Sequence, residues 1–169
     1  MREGLRPRMA LMVLLAREYE ETFGRLTDQL CAASAPTPQL FSRVVTDACL
    51  RIETLNKSGK PTPIDQLIRA GAWTDASLAI VEFELPMWTL RRLIFDAGEW
   101  FCSLSRHPNV PIEFDDTADG RHEARAITIL LSFVEAKRQL AAVTAGINQT
   151  SVPRIRSKPI YPFCCDNFR

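Results

Sequence analysis

The fold is decided by the stretch Trp88-Thr-Leu-Arg-Arg-Leu-Ile-Phe95, followed by Asp96-Ala97-Gly98 and then by Glu99-Trp-Phe-Cys-Ser-Leu-Ser105. Aspartate and glycine between two runs rich in aromatic and aliphatic residues predict a β-hairpin over about residues 88–105. We expect a three-residue loop with Gly98 in the left-handed region, which pairs Phe95 with Glu99. A single hairpin is marginally stable in water, so it must pack against helices or against a partner.

Two amphipathic helices are predicted before the hairpin. Apolar residues recur at spacings of three and four from Met9 to Leu30, and again from Phe41 to Leu55. Pro36 and Pro38 separate the two stripes, because proline lacks an amide donor. Helices joined by so short a linker pack antiparallel, which gives a helical hairpin over residues 9–57. The stripe of the first helix is expected to pair with a copy of itself, which would make a homodimer.

A short helix pair is predicted between the helical hairpin and the β-hairpin. Its first helix covers residues 64–70 and ends at Gly71. Residues 75–85 fit a helix by their apolar spacing and a strand by their alternation, and Thr74 favours the helix as a capping residue. The acidic side chains of Glu82 and Glu84 are expected to lie on a solvated face.

After the hairpin, residues 107–120 are predicted to be a loop and residues 121–143 the last long helix, with Asp119 as its N-cap. The segment Asp115-Asp-Thr-Ala-Asp-Gly120 is similar to the start of a calcium-binding loop. Such a loop requires a glutamate at its twelfth position, where this chain has Ala126. The sequence therefore predicts no metal site.

Together these elements predict a mainly helical α+β protein. The 169 residues, 46% hydrophobic and 24% charged, are typical of one globular domain, here residues 1–150. Within it, the helical hairpin is followed by a helix, β-hairpin and helix unit over residues 62–145. Residues 151–169 are predicted to be an extended, flexible basic tail.

The charge balance argues against a specific nucleic-acid or membrane partner. Lysine plus arginine number 21 and aspartate plus glutamate 20, so no overall field attracts a polyanion. The helix predicted over 75–85 has no lysine or arginine, which is unsuitable for reading DNA. A weak anion contact, including nonspecific nucleic-acid binding, is expected of Arg154, Arg156 and Lys158 in the tail.

The cysteine content indicates a cytoplasmic protein. Five cysteines are an odd number, and none forms the C-x-x-C spacing of a metal or redox site. The apolar run over residues 9–16 is too short to span a bilayer.

No spacing typical of a nucleotide, cofactor or catalytic site occurs, so no cofactor and no catalytic residue are predicted. One enzymatic alternative remains, a thiolate–imidazole pair of Cys102 and His107. Cys102 lies on an apolar strand face, where a cysteine is more often a small buried hydrophobe.

Trp88, Arg91, Arg92 and Trp100 are the predicted binding residues, because tryptophan and arginine dominate protein interfaces. Two interpretations stay open. Tryptophans that join the hairpin to the helices would be buried, whereas tryptophans that meet a partner would be exposed. The sequence predicts a non-enzymatic binding or adaptor module with a protein partner.

Three segments carry a resemblance to other proteins, namely Ala70-Gly-Ala-Trp-Thr-Asp-Ala76, Glu84-Leu-Pro-Met-Trp-Thr-Leu-Arg-Arg-Leu93 and Gly98-Glu-Trp-Phe-Cys-Ser-Leu-Ser-Arg106. Over about residues 65–140 the chain resembles short, uncharacterised alphaproteobacterial proteins. The resemblance implies a bacterial cytoplasmic setting and brings no activity, cofactor or catalytic residue.

Overall fold

A computed structural model describes residues 7–56, 61–111 and 115–144 of the chain. In these residues the elements are α1 (Pro7–Ala32), α2 (Pro38–Ala48), α3 (Leu50–Asn56), α4 (Pro63–Arg69), α5 (Trp73–Glu84), β1 (Thr89–Asp96), β2 (Glu99–Ser105), β3 (Thr117–His122) and α6 (Arg125–Thr144). The fold is α+β and mainly helical, as predicted. The predicted tail, with Arg154, Arg156 and Lys158, lies outside the described residues.

The three strands form an antiparallel sheet in the order β1-β2-β3, so that β2 is central. The third strand corrects the prediction of a loop, and Asp119 lies within it rather than at the start of a helix. Its inward residues are Ala118 and Gly120, which lack the large apolar side chains by which strands are recognised in a sequence. The last helix consequently begins at Arg125, four residues later than predicted.

The sheet packs on α6, and Gly120 is the point of closest approach. A Cβ atom at this position would lie 2.6 Å from the Thr128 carbonyl oxygen and 2.8 Å from Ser132 Oγ. Ser132 Oγ in turn donates a hydrogen bond of 3.1 Å to the carbonyl oxygen of Cys102 on β2. Glycine is required at residue 120 because α6 occupies the space of any larger side chain.

The turn of the β-hairpin is one residue shorter than predicted. Asp96 pairs with Glu99, so the loop consists of Ala97 and Gly98 alone. Both have positive φ, 50° and 91°, as type I′ turns require, and these turns match the twist of the strands they join. The left-handed Gly98 is confirmed, while the predicted pairing of Phe95 with Glu99 is wrong. Nearer the start of β1 the register shifts at Arg91, which forms a β-bulge.

The predicted second helix is two helices that meet at Cys49, whose φ of −118° and ψ of 72° interrupt the first. The backbone N–H of Ile52, in the first turn of α3, donates to Glu84 Oε1 at 2.8 Å. Glu84 Oε2 lies 3.3 Å from Lys137 Nζ, and the Glu84 side chain is 1% exposed. The prediction of a solvated face is therefore wrong for Glu84, because its carboxylate caps α3 and pairs with a lysine of α6.

The short helix pair is confirmed. Residues 75–85 are helical almost throughout, as part of α5, which ends at Glu84. The helix begins at Trp73, with Ala72 as its N-cap, so the predicted capping role of Thr74 is wrong. The Thr74 hydroxyl instead accepts a hydrogen bond of 3.2 Å from Arg125 Nε.

One hydrophobic core includes residues from every helix and from β2 and β3. Over residues 17–32 of α1, whose side chains the structure describes, the buried residues are Phe23, Leu26 and Leu30, and this helix packs on α6 and α2. That part of the α1 stripe is used inside the molecule, whereas Tyr19 of the same stripe is 40% exposed, and the pairing of α1 with a second copy stays a prediction.

We expect Gly120→Ala to lower the free energy of unfolding by about 1–3 kcal/mol, because the methyl group forces β3 away from α6. Urea denaturation followed by circular dichroism measures the change.

Gly24→Ala is the matched control. Gly24 lies in α1, and beyond its chain neighbours and the backbone of its own helix no described atom lies within 4 Å of the position of a Cβ. Alanine is therefore expected to raise the free energy of unfolding by about 0.5–1 kcal/mol through its higher helix propensity. Equal effects of the two substitutions would contradict the close contact at Gly120.

Candidate functional site

Strand β1 lies at the edge of the sheet, so one side of its backbone has no strand partner in the part of the chain that the structure describes. We call this side the β1 edge. Three large apolar side chains of the strand are exposed, Leu90 at 41%, Ile94 at 44% and Phe95 at 59%. Exposed apolar edge strands are typical sites of strand addition or self-association.

The side chains of β1 divide between two faces of the sheet. Leu93 pairs with the buried Cys102 and belongs, with Phe95, to the inner face that packs on α6. Arg92, Ile94 and Asp96 alternate with them and project from the outer face, where all three are exposed. On its outer face, the regular part of β1 thus presents an apolar side chain, Ile94, between the charged side chains of Arg92 and Asp96.

Trp100 connects the inner face to the tip of the hairpin. It is half-buried, and its ring centroid lies 5.3 Å from that of Phe95. Arg125 is the first residue of α6, and its guanidinium lies 5.2 Å from the centroid of the Trp100 ring. Phe95 therefore adjoins the Trp100 ring, which itself lies beside the cationic Arg125 side chain, a composition common at interfaces.

Trp88, the other tryptophan among the predicted binding residues, is 5% exposed and belongs to the hydrophobic core. It precedes β1 and joins the hairpin to the helices, so for Trp88 the interpretation of a buried tryptophan applies. Trp73 is half-buried against Phe41, at a ring separation of 5.3 Å. Of the three tryptophans, Trp100 is the one that adjoins the β1 edge.

The two arginines of β1 have different environments. Arg91, at the bulge, forms an ion pair with Asp115 and donates from Nη2 to the Val110 carbonyl oxygen at 2.9 Å. Arg92 is exposed, and no residue of the described ranges forms an ion pair with it. Arg91 therefore holds the loop after β2, while Arg92 is free to meet a partner.

Asp115 is the centre of a polar cluster at the end of the sheet. Its Oδ2 accepts a hydrogen bond from Ser105 Oγ at 2.5 Å and the ion pair from Arg91. The Ser105 hydroxyl and the Arg91 guanidinium hold the pKa of the Asp115 carboxyl below its usual value. Sequence reasoning missed this cluster, because Asp115 lies 24 residues from Arg91 and no local motif joins them.

A polar cavity of about 340 Å³ adjoins this cluster, and its lining includes Trp88, Arg106, Asp116 and Gln139. Asp115 Oδ1 is buried and accepts no hydrogen bond from the described residues. Those residues contain no cluster of histidine, cysteine, aspartate or glutamate that would hold a metal ion. The segment that is similar to the start of a calcium-binding loop, residues 115–120, does not form one loop. Asp115 belongs to this cluster, whereas residues 117–120 belong to β3.

Cys102 and His107 do not form the arrangement that nucleophilic catalysis requires. Cys102 is fully buried against α6, and burial raises the pKa of its thiol to about 11. His107 lies in an exposed turn, where its backbone N–H donates to Ser105 Oγ at 3.1 Å. A thiol with so high a pKa is protonated at neutral pH and is a weak nucleophile.

No protein-family model, curated protein or solved structure matches the chain. The resemblance to alphaproteobacterial proteins over residues 65–140 stays a prediction. None of the described helices is both long enough and apolar enough to cross a membrane.

We expect the stabilisation by Asp115 to depend on pH. A carboxyl whose pKa is lowered by folding stabilises the native state above its unfolded pKa of about 4, and this contribution is lost as the pH falls through the folded value. Asp115→Asn should lower the urea midpoint at pH 7, and the difference from wild type should shrink as the pH falls toward 2. A difference that does not change with pH would contradict the ionised Asp115. Asp116→Asn, at the exposed neighbouring residue, serves as the control.

The thiols provide a second prediction. Cys31 is exposed, whereas Cys49 and Cys102 are buried. In the native protein at pH 8, iodoacetamide should modify Cys31 and leave Cys49 and Cys102 unmodified until urea unfolds the chain, as peptide mass spectrometry would measure. Faster modification of Cys102 than of Cys31 would restore the enzymatic alternative.

Proposed function

We propose that this protein is a non-enzymatic binding module, an adaptor, that docks an extended segment of a protein partner along the β1 edge. The observation that supports the proposal is the combination of exposed apolar side chains and an unpaired strand backbone on one element. In strand addition, main-chain hydrogen bonds give affinity and alternate side chains give specificity.

The hydrogen-bonding groups that would dock the partner follow from the register. In a hairpin with a two-residue loop, the pair that flanks the loop is hydrogen-bonded, and such pairs alternate along the strands. Asp96, Ile94 and Arg92 therefore direct their backbone groups toward β2. Leu93 and Phe95 direct their N–H and C=O groups toward the β1 edge, where an added strand would receive them.

Natural sheets protect exposed edges with bulges, prolines or charged side chains, lysine above all, and residues 92–96 of β1 carry one charge of each sign, Arg92 and Asp96. Here the bulge at Arg91 protects the beginning of β1, while residues 92–96 pair regularly with β2 and contain neither proline nor lysine. An accessible, regular edge is what a docking strand requires.

The cellular setting is part of the same proposal. Cys31, Cys49 and Cys102 are free thiols, which supports a reducing compartment such as the cytoplasm. The resemblance over residues 65–140 supports a bacterial source.

The proposal is tested by capturing partners with the tagged full chain from a lysate of the cells that express the protein. The capture is run with and without nuclease treatment of the extract. Ile94→Lys places a charge in the middle of the edge and should reduce the captured protein at least tenfold, as expected when an interface residue is lost. Phe95→Pro removes an outward N–H without removing a β1–β2 hydrogen bond, and it should have the same effect.

Leu50→Lys is the matched control, because Leu50 is 58% exposed on α3, away from the sheet. It should retain the partner, and circular dichroism checks that all variants are folded. A partner that binds Ile94→Lys and Phe95→Pro as strongly as wild type would contradict docking on β1. A partner lost on nuclease treatment would favour the basic tail.

A further inference from the structure

The sequence of β1 is complementary to itself in one antiparallel register. Leu93 and Phe95 direct their backbone N–H and C=O groups toward the β1 edge. When two β1 edges face each other, these residues of one copy must lie opposite these residues of the other, since otherwise no hydrogen bonds form. The twofold axis of such a pair therefore passes through a residue and not between two residues. Arg92, Leu93 and Ile94 are the positions that lie beyond the bulge at Arg91 and leave at least two residues of β1 on each side.

The charges on the outer face distinguish these three registers. An axis at Arg92 places the two Arg92 side chains opposite each other, which is unfavourable. An axis at Leu93 places each Arg92 opposite an Ile94. An axis at Ile94 places Arg92 of each copy opposite Asp96 of the other and brings Leu93 opposite Phe95.

From this complementarity we infer that the occupant of the β1 edge is a second copy of this chain, paired antiparallel about a twofold axis at Ile94. The inference rests on the proposed function, because it uses the same edge. The two three-stranded sheets then form one continuous six-stranded sheet. Such an interface is isologous, as in most homodimers.

The two faces of the pair contribute differently. On the outer face, two Arg92–Asp96 pairs flank Ile94 and its copy, at positions where strands bring side chains closest together. Arg92 and Asp96 are both exposed, and neither forms an ion pair with any residue the structure describes. On the inner face, Leu93 of one copy covers the exposed Phe95 ring of the other.

The β1 edge presents more exposed apolar surface than the part of the α1 stripe that the structure describes. Phe23, Leu26 and Leu30 of the α1 stripe are buried within the molecule, whereas the apolar side chains of β1 are exposed. Because the pairing involves a short strand segment, we expect a weak, reversible dimer.

Sedimentation velocity of the full chain tests the register through a charge exchange. Wild type should shift from monomer to dimer as its concentration rises to about 200 μM. Arg92→Asp places two carboxylates opposite each other, and Asp96→Arg two guanidinium groups, so each single variant should stay monomeric. The double variant R92D/D96R restores both ion pairs and should dimerise again.

Ile94→Lys gives an independent readout, because it brings two ammonium groups together at the axis and should abolish the dimer. The control Leu50→Lys should leave the dimer intact. Wild type that stays monomeric at about 200 μM would overturn the inference. A dimer that persists in the single variants, or that the double variant fails to restore, would overturn it as well. A monomeric wild type that still loses a lysate partner on Ile94→Lys would leave the proposed function standing and refute self-pairing alone.

Discussion

The buried carboxylate of Glu84 is the interaction on which the arrangement of the helices depends. It accepts a hydrogen bond from the first turn of α3 and pairs with Lys137 of α6, so it joins three helices at one point. Removal of one partner from a buried ion pair typically costs about 3–5 kcal/mol, a large share of the stability of a domain. Glu84 is also the last residue of α5, four residues before Trp88, so the same contact fixes where the β-hairpin leaves the helical layer.

The position of α6 under the sheet determines which strand is exposed. This helix packs on β2 and β3, and the glycine at residue 120 lets it approach the backbone of β3. Leu93 still reaches the core from β1, but Phe95 extends past the support of the helix and is exposed. The β1 edge is thus a consequence of where the core ends, and its backbone groups have no strand partner among the residues that the structure describes.

The sequence predicts what local pattern determines. Helical periodicity predicts the helices, and the aspartate and glycine of the turn predict the hairpin. The exact loop was missed because it depends on Ala97 adopting a positive φ, which its residue type does not favour. Strand β3 was missed because its inward residues are small, and the burial of Glu84 because Lys137 is 53 residues away. In the candidate site, tryptophan and arginine content pointed to the hairpin that carries the β1 edge. It did not distinguish the buried Trp88 and the paired Arg91 from Trp100 and Arg92, since that distinction requires tertiary contacts.

The left-handed Ala97 has a consequence for motion. An alanine in this conformation costs about 1–2 kcal/mol, and β1 is held to the sheet along one side only. Segments with few stabilising contacts open at low free energy, so β1 is expected to detach from β2 more readily than β2 leaves α6. A strand that binds the β1 edge would stabilise only the closed hairpin. Its binding would therefore slow amide hydrogen exchange in β1 and in the turn, and it would convert an edge strand into an interior one.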